Sequence, residues 1–432
     1  MTTIKSGEKE TERDRRSDLK RGGDSGRGSG VQGDPRARRI GVVTVGRSDY
    51  GIYRTILKAI EQDPDLELRL IVSGSHLSPE LGYTFKAIEA DGFQVDERVE
   101  MLLSSESPEG IAKSVGLGVI GFAQCLNRLR PDILLLLGDR FEMHAAALAA
   151  LPFKIPIAHI HGGELTEGAF DDALRHSLTK LSHIHFVATE DYARRVAQLG
   201  EEPWRITLSG APVLDNLESL ELVGYHELES KYAFDLTRSC LLVTFHPVTL
   251  EYERTEWQIT QLLVALKSAN MPVVFTGPNE DTHHGIIRRT IEEYAAQNAS
   301  AWIVDNLGTR DYFSLMAAAG AMVGNSSSGI IEAGSFKLPV VNVGNRQRGR
   351  VRGPNVIDVG YNHEEILRGI KKAVRPQFRS SIKHMTNPYG RGNATAKIIA
   401  RLKEISLDQE LICKRFYDID IDANRPMRAS RQ

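Results

Sequence analysis

The sequence predicts an α/β protein of two Rossmann-like domains facing a cleft. Three observations lead there. Short apolar, β-branched runs alternate with segments of helical periodicity along most of the 432 residues, the pattern of a parallel sheet covered on both faces. The alternation comes in two series, parted near residues 212–218 within the stretch GAPVLDNL. Polar residues recur at the ends of the predicted strands in both series: Arg47, His76, Asp139, Arg140, Glu164, His246, Asn279 and Ser326. Ligands of open parallel sheets sit beyond the C-terminal strand ends, so one cleft between two domains follows.

In the first series RIGVVTVG is a strand ending at Gly46, YRTILKAIEQ a helix and LELRLIVSG a strand followed by a loop with His76. PEGIAKSVGLGVIGFAQCLNRLR reads as a helix stopped by Pro131, and DILLLLGD as a fully buried strand. EMHAAALAAL is a helix, IPIAHIHGG a strand and its loop, DDALRHSLTKLS a helix and HIHFVAT a strand. The second series runs SCLLVTFHPVT (strand), EWQITQLLVALKSA (helix), MPVVFTGPN (strand) and HGIIRRTIEEYAAQ (helix). AWIVDNLG, YFSLMAAAGAMVGNSSSGIIEAGSF, LPVVNVG and NVIDVG continue it. Residues 39–214 and 215–390 are the expected domains; in 391–432, a helical segment from Ala394 to Leu402 crosses back toward the first, and the last few residues fray.

Composition narrows the function. The net charge of −2 gives no general attraction to nucleic acid or to an anionic membrane. No stretch approaches the roughly 20 apolar residues of a membrane span. Cys125, Cys240 and Cys413 are scattered and odd in number, a poor basis for disulfides or a zinc site. Together these point to the cytoplasm. Residues 1–38 are charged, Gly-rich and nearly free of large apolar groups, the composition of a disordered tail. They lack the apolar core of a secretory signal.

GLGVIG (Gly116 to Gly121) matches GxGxxG but lies inside a helix ahead of a strand, where a dinucleotide fingerprint must follow a strand and open a helix. No P-loop is present. VGNSSSGIIEAGSF is more informative: a strand ends at Asn325, then Ser326, Ser327, Ser328 and Gly329 open a helix whose backbone N–H groups and hydroxyls form an anion site. The plainer reading is an ordinary N-cap. Glu332, expected on the first or second turn, is badly placed for a phosphate and well placed for ribose hydroxyls. NRQRGRVRGPNV sets four arginines, Arg346 first, after a strand aimed at the same cleft, suited to a diphosphate. His246 follows a buried strand, and is a structural hydrogen-bonder or a ligand contact with equal weight. Asp139 and Arg140 stand between a strand and a helix, where Asp139 is an N-cap on the plain reading.

The stretch IPIAHIHGGELTEGAFDDALRH holds His159, His161, His176, Glu164, Glu167, Asp171, Asp172 and Arg175. If the strand runs through His159 and His161, they share a face, which leaves a metal reading open. Yet the acids that follow sit on a Gly-rich loop, and no second cluster completes a coordination shell. An acid–base centre is the better reading, and no metal is expected.

Taken together TVGRSDYGIY, SGSHLSPELGYT, GDRFE, HIHGGE…DDALRHSLTKLSHIHF, FHPVT, GNSSSGIIEAGSF and NRQRGRVRGPNVIDV resemble the hydrolysing UDP-N-acetylglucosamine 2-epimerases, in the branch of the bacterial sialic-acid pathway. The likeness runs from about Ile40 to about Asp420. It implies the glycosyltransferase-B-like arrangement, with nucleotide held mainly by the second domain. It implies conversion of UDP-N-acetylglucosamine and water to N-acetylmannosamine and UDP through a glycal, without a redox cofactor, and a homo-oligomer, dimer or tetramer. By position Arg47, His246, Ser326, Ser327, Glu332 and Arg346 match nucleotide-contacting residues; Arg140, Arg175, Asn279, Ser328 and Gly329 join the binding set. Asp139, Glu164, Asp171 and His246 match the catalytic set, with His161 as an alternative base. His161 is the departure: many relatives carry Glu at this third residue of the HIxGG stretch, whereas the HIHGGE branch has its acid three positions on, at Glu164. Mutual repulsion in such a cluster is expected to raise one carboxyl. A diacetamido-dideoxy nucleotide sugar, a glycosyltransferase of the same fold, a non-hydrolysing epimerase and a non-enzymatic nucleotide-sugar sensor remain the alternatives.

Overall fold

The computed structural model describes residues 36–80, 82–105, 107–167, 170–234, 239–248, 251–277, 284–305 and 307–419. The chain divides into Met1–Arg36 and the unit Ala37–Gln432, which holds every element below. The expected tail lies outside the described residues up to residue 35, as does the expected fraying of the last few residues. Arg38, expected in the tail, instead pairs with Leu66 in the first sheet, and its guanidinium bonds Leu402 O.

Two parallel sheets carry the fold. The first holds β1 (Arg38–Thr44), β2 (Leu66–Ser73), β3 (Glu97–Val99), β4 (Ile133–Leu137), β5 (Ile157–Ile160), β6 (Ile184–Val187) and β7 (Ile206–Leu208), in the order 3-2-1-4-5-6-7. The second holds β8 (Leu241–Thr244), β9 (Val273–Thr276), β10 (Ala301–Val304), β11 (Ala321–Gly324), β12 (Val340–Val343) and β13 (Val356–Val359), in the order 10-9-8-11-12-13. Both are doubly wound, so each has a switch point, at β1/β4 and at β8/β11, where a crevice opens beyond the strand ends. This is the two-domain arrangement expected. Every strand of β4, β5, β6, β8, β11 and β12 is buried along its whole length, which is why these read as unbroken apolar runs.

The core follows the sheets. One apolar cluster covers the first sheet and takes in Ile398, Leu402, Ile405 and Leu411 from the end of the chain. The helix Ala394–Glu404 thus returns to the first sheet, and Arg205 holds the segment after it through Leu411 O and Glu410 O, both at 2.8 Å. Another cluster joins Val187 and Tyr192 to Leu242, Met322 and Tyr389, binding the two halves together. The GxGxxG match lies inside the helix Pro108–Leu129, and its glycine serves packing: a Cβ on Gly118 would stand 2.6 Å from Met101 Cε. Among the described residues no helix is long and apolar enough to cross a membrane.

Candidate active site

The loops beyond β4 and β5 build a buried cluster around Arg175. Asp139 follows β4 but does not cap the next helix, whose N-cap is Arg140; instead its carboxylate pairs with Arg175 Nη2. Arg175 is 3% exposed, donates from Nη1 to His161 O at 2.9 Å, and lies 4.0 Å from Glu164 Oε2. It reaches there from the helix Asp171–Leu181. Asp171, four residues earlier, shares its face. Asp172 accepts from Thr166 N at 2.7 Å, tying the helix start to the loop that carries Glu164. His161, Glu164 and Thr166 of that loop are buried.

His161 and Glu164 form a second buried pair. β5 stops at Ile160, and His161 takes φ +66°, a left-handed conformation that His, Asn and Asp tolerate better than most. The expected shared face of His159 and His161 is therefore absent. His159 turns to Gly138 O (2.8 Å) and Thr179, while His161 Nδ1 sits 2.6 Å from Glu164 Oε1. Among the described residues no group of three or more His, Cys, Asp or Glu is placed to hold a metal ion. Burial works to raise the Glu164 carboxyl, but His161, Arg350 and Arg175 outweigh it and hold it well below the usual range. The expected repulsion between acids does not operate on Glu164, because cations separate it from the other acids.

The second half contributes its own strand ends. Gly324 closes β11 at φ +136°, where a Cβ would lie 1.9 Å from Thr244 O, so only glycine fits. Asn325 then locks β11 to β8, accepting from His246 N at 2.7 Å and donating to His246 O at 2.8 Å. Burial, and then the charge of Arg346, push the His246 imidazole well below its ordinary value. Asn325 O accepts from Gln347 Nε2 at 2.9 Å and Arg346 Nη1 at 3.3 Å. Ser326 does act as an N-cap, accepting from Ser328 N at 3.3 Å, but the helix it opens, Ser327–Ile331, is a single turn that includes Gly329. Glu332 accordingly caps its end and does not sit on a second turn. Burial raises the Glu332 carboxyl, against a hydrogen bond from Ser328 and the charges of His161 and Arg350. Its Oε2 is buried and bonds no group among the described residues.

The two halves thus meet at one place. Arg350, from the loop after β12, lies 3.4 Å from Glu164 Oε2 and donates to Leu165 O at 3.2 Å. Beside it Tyr192 and Tyr389 join hydroxyls at 2.7 Å and bracket Val351, whose N–H and C=O they bind at 3.0 Å. Arg350 is the residue that sequence reasoning missed; within a loop of four arginines no local signal separates it from Arg346.

A second buried set stands at the β1/β2 end. Asp49 accepts from Val45 N at 2.7 Å and Thr44 Oγ1 at 3.2 Å, and Thr44 Oγ1 lies 3.0 Å from His76 Nε2. Burial pushes the Asp49 carboxyl up to about 6 and His76 down to about 4. Arg140 pairs with the fully buried Glu142 at 3.0 Å. Arg47 opens the helix Arg47–Gln62 beside this set, and its charge acts on His76. Asn279 lies outside the described residues. A cavity of about 420 Å³ lined by Asp191, Arg194, Arg195, Gln198, Gly349, Arg350 and Val351 touches the cluster through Arg350 alone, and none of the expected catalytic acids lines it.

A profile of the UDP-N-acetylglucosamine 2-epimerase family matches residues 58–403. The chain is 37% identical over 385 residues to a GDP/UDP-N,N′-diacetylbacillosamine 2-epimerase (hydrolyzing) of Campylobacter jejuni, covering 88% of this chain and 99% of that protein. It is 37% identical over 378 residues to a UDP-N,N′-diacetylbacillosamine 2-epimerase (hydrolyzing) of Legionella pneumophila, covering 87% and 98%. Its fold matches the UDP-GlcNAc 2-epimerase of Neisseria meningitidis bound to UDP-GlcNAc with a TM-score of 0.74, at 19% identity and with 84% and 99% covered.

Proposed function

The chain belongs to the UDP-N-acetylglucosamine 2-epimerase family, and from that premise we propose that it hydrolyses a UDP-linked 2-acetamido sugar with inversion at C2, releasing UDP and the free epimer. The observation that carries the reading is the meeting of the two halves: Arg350, from the second, lies 3.4 Å from Glu164 Oε2 and donates to Leu165 O at 3.2 Å in the first. For the sugar, N,N′-diacetylbacillosamine is favoured by two relatives at 37% identity from different organisms. UDP-N-acetylglucosamine, giving N-acetylmannosamine for sialic-acid-type synthesis, is the second reading, and the C2 chemistry is common to both.

The C2 proton has no carbonyl beside it and is not acidic in the ground state. Breaking the anomeric C–O bond builds positive charge at C1, which acidifies C2–H; a base then takes the proton, leaving a glycal and UDP. Water adds across the double bond, with C2 protonated from the opposite face. The reaction needs donors for the departing diphosphate, a role for Ser326 to Ser328, Arg346 and Arg47. It also needs carboxylates that steady the charge at C1, a role for Asp139 and Asp171. The free Oε2 of Glu332 suits a ribose hydroxyl.

The test is an NMR time course in D2O with each nucleotide sugar in turn. Free C2-inverted sugar carrying deuterium at C2, with equimolar UDP, is expected. Release of a UDP-linked epimer, or no turnover of either substrate without an acceptor, refutes the proposal.

A further inference from the structure

We propose that His161, oriented by Glu164, is the base that takes the C2 proton; this rests on the reading of the chain as a hydrolysing 2-epimerase. His161 Nδ1 lies 2.6 Å from Glu164 Oε1. An ionised carboxylate only accepts, so Nδ1 bears the proton and Nε2 the lone pair. Glu164 is 1% exposed, and Arg350 and Arg175 stand 3.4 Å and 4.0 Å from its Oε2. Nε2 of His161 is buried and bonds no group among the described residues. The carboxylate that orients His161 is itself met by Arg350 of the other half, 3.4 Å from Glu164 Oε2, so this free nitrogen stands beside the place where the two halves meet.

The other candidates fit the role less well. Glu164 spends Oε1 on His161 and faces Arg350 and Arg175 through Oε2 at 3.4 Å and 4.0 Å. A carboxylate stabilised that strongly is a weak base. Asp139 is engaged by Arg175. The φ of +66° at His161 takes the ring out of the strand's alternation, and backbone strain of this kind persists where the surroundings enforce it.

In the proposed step the C2–H bond breaks, the proton passes to Nε2, and the electron pair becomes the C1=C2 bond. The C1–O bond breaks and its pair leaves on the β-phosphate oxygen of UDP. Water then supplies hydroxyl to C1 and a proton to C2, His161 gives its proton up to solvent, and nothing is oxidised or reduced overall. The imidazolium formed in between is stabilised by Glu164. Glu164 is thus a positioning residue, and Arg350 and Arg175 keep it charged.

The experiment begins with wild-type enzyme in D2O and both nucleotide sugars. If it yields no free C2-inverted sugar, the functional reading fails before any variant is made. Given turnover, His161→Asn, which suits the left-handed backbone, is expected to lower kcat about 10²- to 10⁴-fold with UDP affinity within about threefold. His161→Glu, placing a carboxylate at the same position, is expected to recover at least tenfold over the Asn variant. Glu164→Gln is expected to lower kcat in the wild-type background and to have no further effect in His161→Asn, since a residue acting through another is silent once that one is gone. Equal losses in both backgrounds, or an Asn variant keeping more than a tenth of wild-type kcat, overturn the proposal. If the Asn variant does not bind UDP, the Glu variant decides: turnover supports a base at this position, and inactivity with UDP bound overturns it.

Discussion

Arg350→Met removes the charge that joins the two halves, and its cost follows from the geometry. Arg350 Nη2 lies 3.4 Å from Glu164 Oε2, with side-chain exposures of 8% and 1%. At an effective dielectric constant of about 20, Coulomb's law gives about 5 kcal/mol of gross attraction at that distance. Deleting one partner of a buried pair costs about 3–5 kcal/mol where nothing else compensates. Here Arg175 remains 4.0 Å from the same oxygen, so about 2–3 kcal/mol is expected at pH 7. The sign of the pH dependence is determined. The Glu164 carboxyl is depressed in the folded protein, so its contribution is present above the unfolded carboxylate value and lost as pH falls through the folded one. Losing Arg350 raises that folded value, and the gap between variant and wild type narrows on acidification. Urea unfolding at pH 7 and in steps down to pH 3.5 reads both. A loss under about 1 kcal/mol, the range of an exposed pair, or a gap that widens in acid, refutes the linkage.

Asp139→Asn and Asp171→Asn are each expected to lower kcat at least about 100-fold while UDP still binds by calorimetry; near-normal turnover in both removes the acids from the chemistry. Asp49 is raised to about 6 by burial, so its folded form favours the proton and stability is lost as pH rises from the unfolded value through about 6. Asp49→Asn lacks that term, and its melting temperature is expected to fall less than the wild type's between pH 5 and pH 8. An unchanged difference between the two melting temperatures refutes the assignment.

The strands were legible where they are buried on both faces. ILLLL in β4 and the runs of β5, β6, β8, β11 and β12 have no polar side to interrupt them. β3 and β7 were not read: each has three residues, and β7 is half exposed, so neither makes a run. The amphipathic helix His363–Ala373 was also passed over, although its apolar positions recur at helical spacing. Among site residues, Asp139 and Glu164 stood out at predicted strand ends, where polar residues in a parallel sheet need a reason, whereas Asp171 and Arg175 were marked by the resemblance of the DDALRH stretch. Their partners were less legible. Asp139 looked like an N-cap and pairs with Arg175 instead, 36 residues away. His159 and His161 looked like neighbours on one face until the left-handed turn at His161 parted them.

The alternation of apolar runs and helical periods is a local property, so the chain alone determined two parallel sheets, their order of elements and the strand ends that carry polar groups. What lies opposite each strand end is set by packing over long separations. Tertiary structure alone decided that Arg350 reaches Glu164, that Arg175 ties Asp139 to His161 O, and that the nearest charges to Glu164 are cations and not other acids. The physical reason is that charge acts through space: a carboxyl's basicity depends on its burial and on every charge near it, and most of those charges come from distant parts of the chain.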